Sequence, residues 1–388
     1  MSSDKIYESL ADLPDSRLVT KDLLPTTKHQ RNMTRWTYFL IWVGMSLQLG
    51  LFTNSALLIP SLSIKHAILA VIIGNGISCL VMAFTGDIGL THGIPFAVYL
   101  RAIYGYSGTH IPSLVRGIPA SFWFGFQTFL GAEAFNLILV KLTPWPGTYP
   151  YLLVIIVGFM VIQTALTARG IDVVSKFEKL VTPVLIIVVA YLLYWVLTKT
   201  GSSPAEILSV PAQHVESGNT YTFGYAITAM TGILISMAMN VPDYTRYVKT
   251  DDDANTSWFS RNWKCIWPQW IGIIPMMTIM AFIGTAGKYT SGIGDPIEYI
   301  GSMDAPLAIV IIMLFFCFFA QWTLNIGANI LPPANILANV FAPKVDVAKG
   351  CIITCILALI MQGWAFADKV VTANAIVGIM LGGVIGTM

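Results

Sequence analysis

The apolar residues of this chain fall in long continuous runs rather than in stripes at helical spacing. YLLVIIVGFMVIQTAL (151–166), LVTPVLIIVVAYLLYWVL (180–197) and PLAIVIIMLFFCFFA (306–320) are the plainest. Crossing roughly 30 Å of hydrocarbon takes about 20 helical residues, and these runs reach that length with their flanks. Strands of a membrane barrel would alternate apolar and polar positions, and these do not. The pattern predicts an all-α polytopic membrane protein with ten spans: 37–59, 66–86, 112–140, 150–167, 177–198, 222–240, 264–286, 305–330, 348–366 and 371–388. Residues 1–36 then form an N-terminal segment, 37–200 a first set of five spans, 201–221 an external loop, and 222–388 a second set of five, ending within the tenth.

Composition agrees. Of 388 residues, 55% are hydrophobic and 11% charged, whereas a soluble domain carries about a quarter charged residues. The net charge of +2 points to no partner class, and no basic patch with interleaved aromatics suggests nucleic acid. The cysteines at 79, 265, 317, 351 and 355 lie in or beside apolar runs without a C-x-x-C pair. Cys351 and Cys355 share a helical face, which reads as helix packing before metal or disulfide. The first thirty residues lack an apolar h-region, so no cleavable signal peptide is predicted and the first span directs insertion.

The distribution of Lys and Arg orients the chain. With the N-terminus in the cytoplasm of a cell whose plasma membrane holds the protein, sixteen fall on inside segments and five outside, with Arg116 within span three. A span missed or added mid-chain would scramble that bias. The chain ends on IVGIMLGGVIGTM, with no polar tail to satisfy the last carbonyls, and a truncated chain is expected.

Three runs carry helix-breaking residues. Span one reads IWVGMSLQLGLFTNSALLIP, with Gly44, Gln48, Gly50 and Asn54. Span six reads AITAMTGILISMAMNVP and stops at Asn240-Val241-Pro242. Span eight reads AQWTLNIGANILPP, with Gln321, Thr323, Asn325 and Asn329 before Pro332-Pro333. Backbone exposed to lipid must be helical, so a break at membrane depth implies a cavity or a site buried in protein. Interrupted helices at matching places in two halves mark an inverted-repeat transporter, and spans one and six are five apart. Glycines also let helices pack closely, but that reading leaves the neighbouring amides unexplained.

Polar groups inside the membrane are costly and tend to be functional. Trp123 and Gln127 in ASFWFGFQTFLGA are four apart, hence on one face, as are Asn325 and Asn329. An indole plane with several amides suits a flat, uncharged ring bearing N–H and C=O groups. For Gln127 alone an interhelical hydrogen bond serves equally well. Phe122, Phe124, Phe126 and Phe129 read as packing or lipid-facing.

On these motifs the chain resembles the nucleobase–cation symport-1 family, which includes hydantoin, allantoin, cytosine and uracil permeases. The stretches are KDLLP (21–25), IWVGMSLQ (41–48), THGIPFAVYLRAIYGYSGTHIPSLVRGIPASFWFGFQTFLGA (91–132), MNVPDYTRYVK (239–249) and TLNIGANILPPANILAN (323–339). SFWFGFQT is most similar to hydantoin- and allantoin-type permeases. The resemblance implies a five-plus-five inverted repeat with helices 1 and 6 interrupted, and two further helices absent from this chain. It implies that Trp123 stacks on the substrate ring, that Gln127 and Asn329 bind its polar edge, and that Asn325 and Gln48 lie beside them. It implies a sodium site at Gly44, Leu47, Ala320 and Thr323.

Two departures stand out. The family's hydantoin-type pattern has a second Trp nine residues before the Asp of N-x-P-D; here that position is Leu234. A second span-eight hydroxyl is replaced by Leu324. Sodium favours hard oxygen ligands, as do Ca²⁺ and Mg²⁺, so the coupling ion is sodium or a proton, with Glu133 the carboxylate to test as proton carrier. A structural pairing of Glu133 with Arg116 or Lys141 is the plainer reading. The expected function is cation-coupled import of a nucleobase or related cyclic amide or ureide by alternating access, without cofactor or covalent chemistry. The alternatives are a non-transporting fragment of such a permease and a membrane enzyme, for which no H-E-x-x-H or Ser dyad is evident.

Overall fold

A computed structural model describes residues 16–213, 221–250, 257–363 and 365. Helices account for the architecture. In chain order they are α1 (Arg35–Ser46), α2 (Leu49–Leu58), α3 (Ile64–His92), α4 (Phe96–Gly108), α5 (His110–Leu142), α6 (Tyr149–Thr167), α7 (Ile171–Thr200), α8 (Pro204–Leu208), α9 (Phe223–Ala238), α10 (Val241–Thr245), α11 (Trp258–Ser291), α12 (Pro296–Gly301), α13 (Leu307–Leu324), α14 (Leu331–Val340) and α15 (Val347–Met361). A π-helical segment, Asn325–Ile330, joins α13 to α14.

Among the described residues six helices are long and apolar enough to cross a membrane, α13 to α14 counting as one. A seventh span forms if α1 and α2, bent by 49° at their junction, are taken together, while α9 and α15 are shorter apolar helices. The predicted tenth span, 371–388, lies outside the described residues.

The structure corrects three readings. Residues 87–111 are no bare connection: they hold the end of α3 and all of α4. Span six does not stop at Asn240-Val241-Pro242; it breaks there and resumes as α10, with Pro242 in the first turn, where a missing N–H costs nothing. Span eight does not end before Pro332-Pro333 either. The π segment widens the helix, and both prolines fall in the opening turn of α14, which tolerates them for the same reason.

Three groups of helices set up the interior. α3 lies along α9 and α11; α1 is wedged among α7, α11 and α13; α5 lies against α13 and α15. Glycines permit the closest approaches. A side-chain atom on Gly74 would come within 2.8 Å of the Thr231 backbone nitrogen. The N-terminal segment straps one face of the bundle. Thr26 donates to the Arg246 carbonyl (2.6 Å), Arg246 donates to the Asp22 carbonyl (3.0 Å), and Arg101 donates to the Leu18 carbonyl (2.8 Å).

Candidate functional site

The first break supplies the frame of the site. α1 ends at Ser46, Leu47 turns away (φ −82°, ψ 48°), and Gln48 is extended (φ −90°, ψ 136°) before α2 begins. The Gln48 side chain makes no capping bond to α2. The orphan carbonyls of α1 and N–H groups of α2 therefore meet at mid-span, the negative end of one helix dipole beside the positive end of the other.

A cavity opens at this junction. It bounds about 480 Å³ of empty space, its mouth included, and is lined by Gln48, Gly50, Asn54, Trp123, Phe126, Gln127, Ile233, Ser236, Met237, Leu324, Ala328 and Asn329. Its mixture of apolar wall and a few convergent polar groups is typical of small-ligand sites. The indole plane of Trp123 is held by two phenyl rings, Phe122 and Phe126, each 5.5 Å away and nearly perpendicular (84° and 83°). Phe126 is thus a wall of the cavity and not merely packing, while Phe124 is fully buried elsewhere in the core.

The amides are arranged in two ways. Asn325 donates to Thr128 Oγ1 (3.0 Å) and to the Phe124 carbonyl (3.4 Å), and its Oδ1 accepts from Asn329 Nδ2 (3.0 Å). Asn325 is fully buried and does not reach the cavity wall. It orients Asn329, whose Oδ1 remains to offer the cavity an acceptor. Gln127 is different: it is buried, and its Oε1 has no protein partner. Asn54 Oδ1 is buried and unpartnered in the same way. Unpaired buried amides are costly unless something else meets them.

The π segment that carries Asn329 is held from two sides. Arg116, buried in α5, donates through Nη2 to the Ala328 carbonyl (2.9 Å), and the Tyr244 hydroxyl of α10 donates to the Gly327 carbonyl. π segments free carbonyls from the regular ladder and recur at functional sites. Here the freed carbonyls serve as anchor points that tie α5, α10 and the Asn329 backbone together.

Leu234 requires a correction. It is buried (1% exposed) in the core, and its neighbour Ile233 lines the cavity. Successive residues of a helix differ by about 100°, so counting back from Asp243 across the break at Asn240 lands one position off the cavity face. Ile233, Ser236 and Met237 carry no sequence signal beyond their place on an apolar helix, and so went unread.

Of the four residues named for a cation, Gly44, Ala320 and Thr323 meet. Thr323 Oγ1 lies 3.0 Å from the Gly44 carbonyl and 2.9 Å from that of Ala320. Leu47 contributes a backbone N–H to the end of α1, shared between the Val43 carbonyl (3.2 Å) and the Gly44 carbonyl (3.4 Å). Glu133 is half-buried on α5, and its proposed partners are engaged elsewhere: Arg116 with Ala328, and Lys141 with the Gly301 carbonyl (3.4 Å). A buried carboxylate that the sequence reading passed over, Glu178 of α7, abuts Gly44 instead. Its signal was available. Glu178 stands four residues before Thr182 in KFEKLVTPVLII, at the lysine-rich start of predicted span five, where a charge is ordinary.

Comparison with known proteins agrees with this geometry. The allantoin permease of Bacillus subtilis (strain 168) is 27% identical over 96% of this chain and 78% of its own length. The hydantoin permease of Microbacterium maritypicum is 28% identical over 94% of this chain and 73% of its own. Among solved structures, Mhp1, a nucleobase–cation-symport-1 transporter in a closed conformation with bromovinylhydantoin bound, superposes with a TM-score of 0.87 at 28% identity, covering 95% of this chain and 80% of that one. The fold is the five-plus-five inverted repeat of that transporter, with helices 1 and 6 interrupted. A family model described as permease for cytosine/purines, uracil, thiamine and allantoin matches residues 25–388, and the chain belongs to that family of permeases.

Proposed function

We propose that this permease carries a flat cyclic amide or ureide of the allantoin, hydantoin or uracil kind, and that Trp123, Gln127 and Asn329 bind it, with Gln48 at the edge of the site. One observation carries the reading: an indole face and unpaired amides line a single cavity at the broken helix. The ring lies against Trp123, where an aromatic face adds to the area buried. Asn329 Oδ1 accepts from a ring N–H, and the Gln127 amide meets the adjoining carbonyl and N–H. Bonds to groups that otherwise stay unpaired discriminate strongly against ligands that lack the matching atoms. The relatives named for allantoin and hydantoin support this class of substrate.

Transport follows by alternating access, in which one bundle rocks against the other around a fixed midplane site. A coupling cation acts only through its different affinity for the two states. The C-terminal end of α1, with Gly44, Thr323 and Ala320 converging there, supports cation coupling. The excess of Lys and Arg on alternate segments supports a cytoplasmic N-terminus.

The test is uptake of labelled allantoin, hydantoin, uracil and cytosine into proteoliposomes. At least one should accumulate, and Trp123→Ala should lower its uptake at least tenfold while Phe124→Ala, if folded, leaves binding within threefold. No accumulation of any of the four by inserted protein overturns the substrate class. Equal effects of the two substitutions overturn the stacking role.

A further inference from the structure

Glu178 is fully buried in α7 and has no part in the substrate cavity. Its Oε2 accepts from Thr182 Oγ1 at 2.8 Å, while its Oε1 has no protein partner. Among the described residues no Lys, Arg or His is paired with it. An ionised carboxylate left so, away from water, is among the least favourable arrangements a protein can hold. Within the span of a membrane protein such a group points to a bound ion or a functional role.

Its surroundings specify what kind. A side-chain atom on Gly44 would collide with Glu178 Oε2 and come within 2.8 Å of Thr182 Oγ1. The absence of a side chain at 44 is what lets the polar pair of α7 press on the last turn of α1. Thr323 Oγ1 of α13 donates to the carbonyl of that same Gly44 at 3.0 Å. Three mutually packed helices, α1, α7 and α13, thus bring a carboxylate, two hydroxyls and a carbonyl to one glycine. All are hard oxygen donors, the kind that alkali and alkaline-earth cations prefer. The negative end of the α1 dipole adds to the attraction.

A stripe of buried polar side chains reaches this corner. Ser175, Glu178 and Thr182 occupy positions i, i+3 and i+7 on the buried face of α7. Ser175 also lines a cavity, with Thr37, Asp172, Lys176 and Lys179, at the end of α1 and α7 nearest the N-terminal segment. The stripe leads from that cavity, one helical turn at a time, to Gly44.

We propose that Glu178 is a direct ligand of the coupling cation, sodium, held together with Thr182, Thr323 and the Gly44 carbonyl, and that the ion leaves along Ser175. The assignment rests on the cation-coupled reading of transport given above. It differs from a role for Glu178 as a mere acceptor for Thr182, which requires no ion.

The experiment measures equilibrium binding of ²²Na⁺ to the purified full chain, with unlabelled Na⁺ and K⁺ as competitors. Substrate affinity is read separately by tryptophan fluorescence in sodium-free buffer. The wild type should bind Na⁺ in preference to K⁺. Glu178→Gln should weaken Na⁺ at least tenfold with sodium-free substrate affinity within twofold, and Glu178→Asp should fall between. Unchanged Na⁺ affinity in Glu178→Gln overturns the assignment and leaves the transport reading intact. Wild type that transports substrate yet binds no Na⁺ overturns it too. Wild type that binds Na⁺ but neither binds nor moves any tested substrate overturns the substrate reading alone. If Glu178→Gln does not yield monodisperse protein, Glu178→Asp decides: at least fivefold weaker Na⁺ binding supports the ligand role, and unchanged binding overturns it.

Discussion

The two interrupted helices look alike in the sequence and behave differently in the fold. At the first, between α1 and α2, the freed groups stay available. Gln48 caps nothing, and Gln127 and Asn54, which face the same cavity, keep unpaired oxygens. At the second, between α9 and α10, most of the freed groups are taken by protein. Asp243 accepts from the Phe96 backbone N–H and from Asn240 Nδ2, both at 3.1 Å. Thr85 donates to the Ala238 carbonyl (2.6 Å) and Thr245 to that of Gly86 (2.7 Å). Asn240 Oδ1 alone of these side-chain groups keeps no partner. A broken helix is therefore a site where its polar groups are left open, and a joint where neighbouring helices close them.

If the second break is a joint, filling it should destroy the fold before it alters binding. Gly89 of α3 is the sharpest place to try. A side-chain atom there would strike Thr245 Oγ1 and stand 2.6 Å from the Pro242 carbonyl and 2.7 Å from the Arg246 nitrogen. Backbone cannot swing aside as a side chain can, and overpacking of this kind costs about 3 kcal/mol. Gly89→Ala is expected to lower the melting temperature by several degrees or more, or to prevent recovery of monodisperse protein. Recovery of Gly89→Ala with wild-type thermal stability and weakened substrate binding would reverse the roles assigned to the two breaks.

The first break should respond in the opposite sense. Gln127→Ala removes a buried amide whose oxygen has no partner in the protein, so little stability is lost. The same change removes a group offered to the ligand, worth about 1.5 kcal/mol for one good hydrogen bond, or roughly tenfold in affinity. Calorimetry of the substrate-free protein should show a melting temperature at or above that of wild type, and titration should show the affinity loss. A drop in stability without a change in affinity would make Gln127 an interhelical tie.

The site was unevenly legible in the sequence. Trp123 with Gln127, and Asn325 with Asn329, were readable because an amide in an apolar run is conspicuous and a spacing of four fixes a shared face. The division of labour between Asn325 and Asn329 was not. Both are amides on the same face, and only the fold shows that Thr128 and Phe124 claim the first and leave the second to the cavity. Leu234 was placed by the family's spacing to Asp243, and the fold puts its neighbour Ile233 on the cavity wall. Pro332-Pro333 failed because a π segment shifts the point at which a helix must pair its N–H groups. Glu178 failed for a different reason. It is the second residue of predicted span 177–198, at a lysine-rich helix end where charge is ordinary, whereas α7 turns Lys176 and Lys179 outward and buries the carboxylate between them.

The smallest effect is also the one that tests where helix six meets the ligand. The cavity takes Ile233, Ser236 and Met237 from α9, all upstream of the break, and nothing from α10. Ser236 is 8% exposed. Its hydroxyl can offer the ligand one neutral hydrogen bond near the rim, typically about 0.5–1 kcal/mol. Ser236→Ala should therefore weaken substrate binding about threefold and leave the melting temperature within a degree. Asn240→Ala, three positions beyond the last α9 lining residue, should do the reverse, because it removes the donor to Asp243 and touches no ligand. Were Asn240→Ala to weaken binding more than Ser236→Ala without any loss of stability, the second break would be a site like the first. The contrast between them would then lie in occupancy and not in design.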